Sequence, residues 1–521
     1  MRTPRDRRDS TQVELYPPMQ ECPACHQPLI ERYHKQRWII QLDQQVKVVS
    51  HFLECGNTHC ERRAAVYRPY QEDTWALRGY TFGLDVVARI GELRYRDHMS
   101  ITKIRDQLKS ASNLSISVKE VGLLCEVFLA LVTTVARQEP ALIEQLRLLG
   151  GIVLAIDGVQ PEKSHETLYI LSDVRSGRVL VAKTLLSSAT PEIEQLIEEV
   201  LGLDLPIVGV ISDKQESICL AVQRKLPTVP HQICQYHYLK DVAQPVCEAD
   251  RHFKKELKKK VRGIRDLERQ AEKVPTKEAP VVADYCLAIR TVMRDDGKYP
   301  LEPPGLQLYQ KLQLIAASVE RVMVAHPSAL LKRLSRMLAV LHLFQREFEQ
   351  LVILFSWIHH IAHLLEAKTS CEQAQSQLLT FVNDLHHSCP HTELLDLVTY
   401  VQKITVAFTP HLFEYLKHPL LPRTNNDLEL FIGRLKKSRR HVTGRKNTQE
   451  FILREGSFVA ILFGLPQTTN WVEAFPNVNL NDFRHTLKLL RQTEKRRKCW
   501  HARRDLGAYL SALEQQGLPH E

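Results

Sequence analysis

The chain has 521 residues, with 70 Lys and Arg against 60 Asp and Glu, a formal charge of +10. That length predicts about three domains at roughly 150 residues each, and a composition of 44% hydrophobic and 25% charged residues excludes wholesale disorder. No apolar leader follows Met1 and the most apolar segment, Val121 to Ala136, is broken by Glu126, Thr133 and Thr134, so neither secretion nor a membrane partner is expected.

Twelve cysteines are too few for a disulfide scaffold. A reducing, cytoplasmic setting with one metal site fits them better. The metal site is expected in a small zinc ribbon over residues 18–70. There Cys22-Pro-Ala-Cys25 and Cys55-Gly-Asn-Thr-His-Cys60 flank two strand-like runs, Trp38 to Leu42 and Val46 to Val49. Two close thiolate pairs can converge on one tetrahedral Zn²⁺. His26, His34 or His59 could replace one of the four ligands, and a site filled by four protein ligands is structural.

Residues 78–136 read as a helix-turn-helix DNA-binding region. Apolar positions recur at helical spacing from Leu84 to Leu93. Ser100 is a good N-cap before Ile101, Ile104 and Leu108, and Ser117-Val-Lys-Glu120 matches a capping box. Short helices joined by polar turns suit groove reading, although any small helical bundle shares the pattern.

Residues 150–240 read as α/β. Gly151 to Asp157 is a continuous apolar run ending in an acid, as a buried strand would be. Thr167 to Asp173 and Arg178 to Lys183 flank Ser176-Gly177 as a hairpin. Thr190-Pro-Glu opens a helix, with Thr190 as cap. Ile207 to Asp213 is a second buried strand, Glu216 to Leu226 a helix, and His231 to Cys234 a third strand. This order matches a ribonuclease-H-like core, in which the first and fourth strands are neighbours. Asp157 and Asp213 are then expected at adjacent strand ends, where open α/β sheets place their ligands. Two such carboxylates repel unless a hard divalent cation bridges them.

A third acid is expected from Arg423-Thr-Asn-Asn-Asp-Leu-Glu429, followed by Lys436. Seven residues is about two helical turns, so Glu429 and Lys436 share a face. With these residues the chain resembles the DDE transposases of bacterial insertion sequences. The matching features are Asp157-Gly, Ser212-Asp213, and Asn425-Asn-Asp-Leu-Glu429 with its lysine seven positions on. Cys234-Gln-Tyr-His237 is similar to the C-x-x-H signature of several such groups, and Arg440 to Lys446 to their basic segment. The resemblance covers about Gly151 to Ala460; the modules ahead of it are similar to common transposase N-termini.

The gap between Asp213 and Glu429 is 429 − 213 = 216 residues, with no glycine from Leu306 to Ile432 and long apolar-periodic stretches. An all-helical insertion over 241–420 is expected, then the final catalytic helix and basic segment over 421–465 and a basic helical tail over 466–521. Eight Lys or Arg between Arg434 and Arg454 are opposed only by Glu450, and nine between Arg484 and Arg504 only by Glu494. Such tracts are expected to follow phosphates, with Lys436, Lys437, Arg439, Arg440, Arg445 and Lys446 as the candidate contacts.

The resemblance implies metal-dependent strand cleavage and strand transfer at the inverted repeats ending a mobile element. Asp157, Asp213 and Glu429 would hold two Mg²⁺, or Mn²⁺, about 3.5–4 Å apart. Double-stranded DNA, as element ends and target, is the implied partner, with a dimer or larger assembly on paired ends in a prokaryotic, nucleoid-associated setting. Two alternatives stand beside it. A ribonuclease-H-like nuclease would carry an acid two positions after its first aspartate, where this chain has Val159. A non-catalytic DNA-binding descendant would tend to lose one of the three acids.

Overall fold

A computed structural model describes residues 10–137, 140–160, 166–294, 296–388, 394–444 and 449–517. The fold is mixed α/β, about 61% helical, with two mixed sheets. It divides into two compact units. The first comprises Met1–Val208, Ser217–Val229 and Asn426–Glu521; the second comprises Gly209–Glu216 and Pro230–Asn425.

The first sheet contains β1 (Ser10–Leu15), β2 (Leu29–Ile40), β3 (Gln45–Cys55) and β4 (Val66–Tyr67). β3 is central, parallel to β1 and antiparallel to β2 and β4. One face buries Ile39, Val46 and Val48 with Leu15 and Ala76. The two short runs expected from sequence are therefore the inner ends of two longer strands.

Among the helices that follow, three build the next part of the core. In α1 (Leu84–Gly91), Val86, Val87 and Ile90 are buried. α2 (Ile101–Ser112) is capped as expected, Ser100 Oγ accepting the N–H of Lys103. α3 (Val118–Arg137) begins at Ser117, whose Oγ accepts the N–H of Glu120 at 3.1 Å. Val127 through Val132 of α3 are at most 1% exposed. A helix apolar on all sides must be covered on all sides. Accordingly, α3 packs on α1 and on two helices from the far end of the chain described below.

The second sheet contains β5 (Ile152–Val159), β6 (Thr167–Asp173), β7 (Val179–Leu185), β8 (Ile207–Ser212) and β9 (His231–Ile233), in the order β7-β6-β5-β8-β9. β5, β6 and β7 form an antiparallel meander, and β9 runs parallel to β8. Ile152 N–H donates to the Pro206 carbonyl at 2.8 Å, joining the start of β5 to the chain entering β8. The helix α4 (Thr190–Leu201) is capped at Ala189 rather than Thr190, because the proline falls one position deeper in the first turn. α5 (Glu216–Lys225) links β8 to β9.

In the second unit, α6 (Gln235–Lys260) packs against α7 (Pro304–Ala325), α8 (Gln345–Leu365) and α9 (Leu395–Phe408). Asp250 of α6 is fully buried. Its carboxylate accepts the N–H groups of Gly305 and Leu306, at 2.8 and 2.9 Å, and the Tyr299 hydroxyl at 2.7 Å. It thus satisfies the start of α7, a role that local spacing does not reveal. Ala329–Leu365, which contains α8, is long and apolar enough to cross a membrane by length and composition alone. In the first unit, α10 (Asn426–Thr443) packs on β5, α11 (Gln449–Phe463) on β6, β7 and α3, and α12 (Leu480–Arg504) on α3.

Candidate functional site

The N-terminal cysteines are brought together by the first sheet. Cys55 is the last residue of β3, and Cys22 and Cys25 lie in a turn closed by hydrogen bonds from Cys22 N–H to the Gln27 carbonyl and from His26 N–H to the Cys22 carbonyl. Cys22 Sγ is 3.7 Å from Cys60 Sγ, and Cys25 Sγ is 3.5 Å from Cys55 Sγ. Sulfurs on the corners of a tetrahedron with Zn–S bonds of about 2.3 Å lie about 3.7 Å apart. All four sulfurs lie within 4.8 Å of one another and could hold a zinc ion. Backbone N–H groups of Ala24 and Cys25 pull the Cys22 thiol down to about 6, so this sulfur gives up its proton most readily. None of the expected histidine substitutes is needed. His34 instead sits beside His51 and Glu31 on the sheet.

Each of the three expected acids has a definite place within its own unit. Asp157 lies inside β5, two residues before its end rather than at it, because Gly158 and Val159 still pair with Tyr169 and Leu168 of β6. Its side chain is buried. Asp213 directly follows β8, as expected. Burial raises its carboxyl above the usual range, opposed by the Gln215 N–H, which donates to Oδ1 at 3.1 Å, and by nearby His237. The neighbouring Asp241 is raised too, chiefly by burial. Glu429 is half-buried in the first turn of α10, whereas Asp427 is exposed. Asp157 and α10 belong to the first unit, and Asp213 to the second.

Cys234 and His237 open α6. Cys234 N–H continues the ladder by donating to the Ser212 carbonyl at 2.8 Å, and its sulfur accepts the N–H of Asn425 at 3.3 Å. Gln235 N–H donates to the Arg423 carbonyl at 3.0 Å. The C-x-x-H segment therefore anchors the backbone immediately ahead of the Glu429 helix, a positioning role visible only in three dimensions. Gln232 and Gln235 each donate to the Leu412 carbonyl, at 2.8 and 3.0 Å, and bind the same return segment.

The basic residues divide by environment. Lys437 and Arg440 are exposed and Lys436 is half-buried. Arg439 turns inward, its guanidinium 5.0 Å from the Phe451 ring, and burial lowers its pKa. Arg445 and Lys446 lie outside the described residues. Two cationic grooves are formed, the first of them from the 484–504 tract. One, of about 440 Å³, runs along α12 beside Arg78, Arg484, Lys488 and Lys495. The other, of about 340 Å³, runs along the end of α6 beside Arg251, Lys255, Lys258 and Lys259. The spacing of those cations along their helices was the available signal.

No known family model and no curated protein matches the sequence.

Proposed function

We propose that the protein is a DDE-type DNA transposase, which binds the terminal inverted repeats of a mobile element and carries out metal-dependent strand cleavage and strand transfer. The observation that carries this reading is the sheet order β7-β6-β5-β8-β9, with Asp157 on β5, Asp213 directly after β8 and the Glu429 helix packed on β5. Three strands of antiparallel meander followed by two parallel strands supports the ribonuclease-H-like reading. The ends of its central strands are where such sheets hold ligands. Asp157, Asp213 and Glu429 offer only carboxylate oxygens, the donor type that suits Mg²⁺ or Mn²⁺. A pair of such ions would activate the attacking water or 3′-hydroxyl and stabilise the leaving oxygen.

The chain's own part is to hold these carboxylates and the DNA. Burial of Asp213 favours its neutral form unless a cation faces it, and Cys234 secures the entry to α10 through Asn425. The exposed face of α2, with Lys103 and Lys109, is available to a DNA groove, whereas α3 is sequestered in the core. The Cys22, Cys25, Cys55 and Cys60 cluster would carry a structural zinc in the end-reading part. Pairing of two ends calls for a dimer or larger assembly.

Glu429→Gln is the decisive variant, because it keeps the shape and removes the charge. DNA-end cleavage in Mg²⁺ should fall by several orders of magnitude while end binding stays nearly unchanged. Asp427→Asn, altering an exposed acid about 200° around the helix, should leave cleavage largely intact. Normal cleavage by Glu429→Gln would remove Glu429 from the site. Wild-type protein that binds ends yet never cleaves them would favour the non-catalytic DNA-binding reading.

A further inference from the structure

We infer that the first sheet carries a second transition-metal site, made by His34, His51 and Glu31 and separate from the four cysteines. His34 and His51 are direct cross-strand partners on β2 and β3, so their rings share a face. Glu31, three residues before His34, would ordinarily point to the opposite face. The register shift between Glu31 and Tyr33 inserts one extra residue and returns Glu31 to the histidine face. Glu14 of β1, opposite Val49, lies on that face as well.

The donor atoms of the three residues converge on one point of the sheet. His51 is 9% exposed, and its Nε2 lies 2.7 Å from Glu14 Oε2. With Nε2–H donating to that carboxylate, Nδ1 presents a lone pair. Nδ1 is buried and sits 3.0 Å from Glu31 Oε2. His34 Nδ1 approaches Glu31 Oε1 at 3.2 Å. Donor atoms of the three residues all lie within 4.8 Å of one another. Around a tetrahedral ion with bonds of about 2.0–2.1 Å, neighbouring donors lie about 3.3 Å apart, so small side-chain adjustments suffice.

Glu14 then acts as the carboxylate that orients a metal-bound histidine through its far nitrogen. Tyr16 stacks on the His51 ring, 4.1 Å between centroids and 6° between planes, and holds its orientation. Two imidazoles and one carboxylate select Zn²⁺, Co²⁺ or Ni²⁺ over Mg²⁺ or Ca²⁺. Three protein ligands leave a fourth position for water or a partner's side chain.

The test is metal counting on the full chain equilibrated with micromolar Zn²⁺, repeated with Co²⁺ for its absorption spectrum. Wild type should bind two ions, one with thiolate-to-cobalt charge-transfer bands and one without. His34→Ala, at a half-exposed position, should bind one and keep the thiolate bands, which also shows that the ribbon is folded. Glu14→Gln should retain two ions but bind the second about 10–100-fold more weakly. Cys22→Ser with Cys25→Ser should abolish the thiolate bands. A single ion in wild type, or two ions in His34→Ala, would overturn the proposal, and neither outcome depends on whether the protein cleaves DNA.

Discussion

His231 shows how one buried side chain ties the sheet to the acid beside it. Ser212 Oγ donates to the Asp213 carbonyl at 2.7 Å and lies 2.8 Å from His231 Nε2. The single hydroxyl proton is thereby spent, so the imidazole donates through Nε2–H. Burial, with His411 and Lys214 nearby, drops the His231 pKa from 6.5 to about 3. The unfolded chain takes up a proton below 6.5 that the folded chain refuses until about 3. Stability from neutral His231 is therefore complete above pH 6.5 and drains as the pH falls from there toward 3, by about 1.4 kcal/mol per unit. Urea midpoints measured from pH 7.5 to 5 should fall in wild type and fall less in His231→Gln, whose amide can still donate to Ser212. Equal slopes would show that other histidines carry the acid sensitivity.

Among the elements, α3 owes its place to what touches it rather than to its caps. Phe128 stands 5.9 Å from Tyr95 and meets the Trp471 and Phe475 rings edge-on at 5.7 and 5.8 Å. Gly91 at the end of α1 makes room for it. A Cβ built there would lie 2.2 Å from the Phe128 ring. Gly91→Ala should therefore cost about 1–3 kcal/mol through overpacking, although alanine is the better helix former. Thermal unfolding measures this, and an unchanged or raised midpoint would show that the aromatic cluster can shift. Gly433 of α10, with nothing near its Cβ position, supplies the comparison.

Each of the two units carries a groove lined by several cations. The grooves along α12 and α6 offer cations at helical spacing, and a net charge of +10 favours a polyanionic partner. Arg484→Ala with Lys488→Ala should weaken binding to any duplex alike and lower the slope of log affinity against log salt by up to about 2. Lys103→Ala with Lys109→Ala should instead erase the preference for terminal repeats over random duplex. Competition binding at several salt concentrations separates the two effects, and an unchanged salt slope in the α12 variant would take that groove off the DNA path. Point variants are preferable to deletion of residues 1–136, because the first unit is built from three stretches of chain and α3 lies in its core.

Local spacing alone determined the strands of the second sheet, the inner ends of β2 and β3, the caps at Ser100 and Ser117, the cysteine pairs and the helical character of 241–420. Each rests on contacts within a few residues or on an apolar period that only one element satisfies. Tertiary structure decided where those elements go. It kept Asp157 within β5, because pairing with β6 continues for two more residues, and it set Arg439 beside the Phe451 ring. It joined Cys234 to Asn425 across 191 positions and placed Asp250 under the start of α7. A one-residue register shift opposite Leu53 also brought Glu31 to His51, which no alternation pattern in β2 announces. These outcomes depend on which buried donor meets which acceptor once the chain has closed. Sequence spacing sets the supply of such groups, and only packing pairs them.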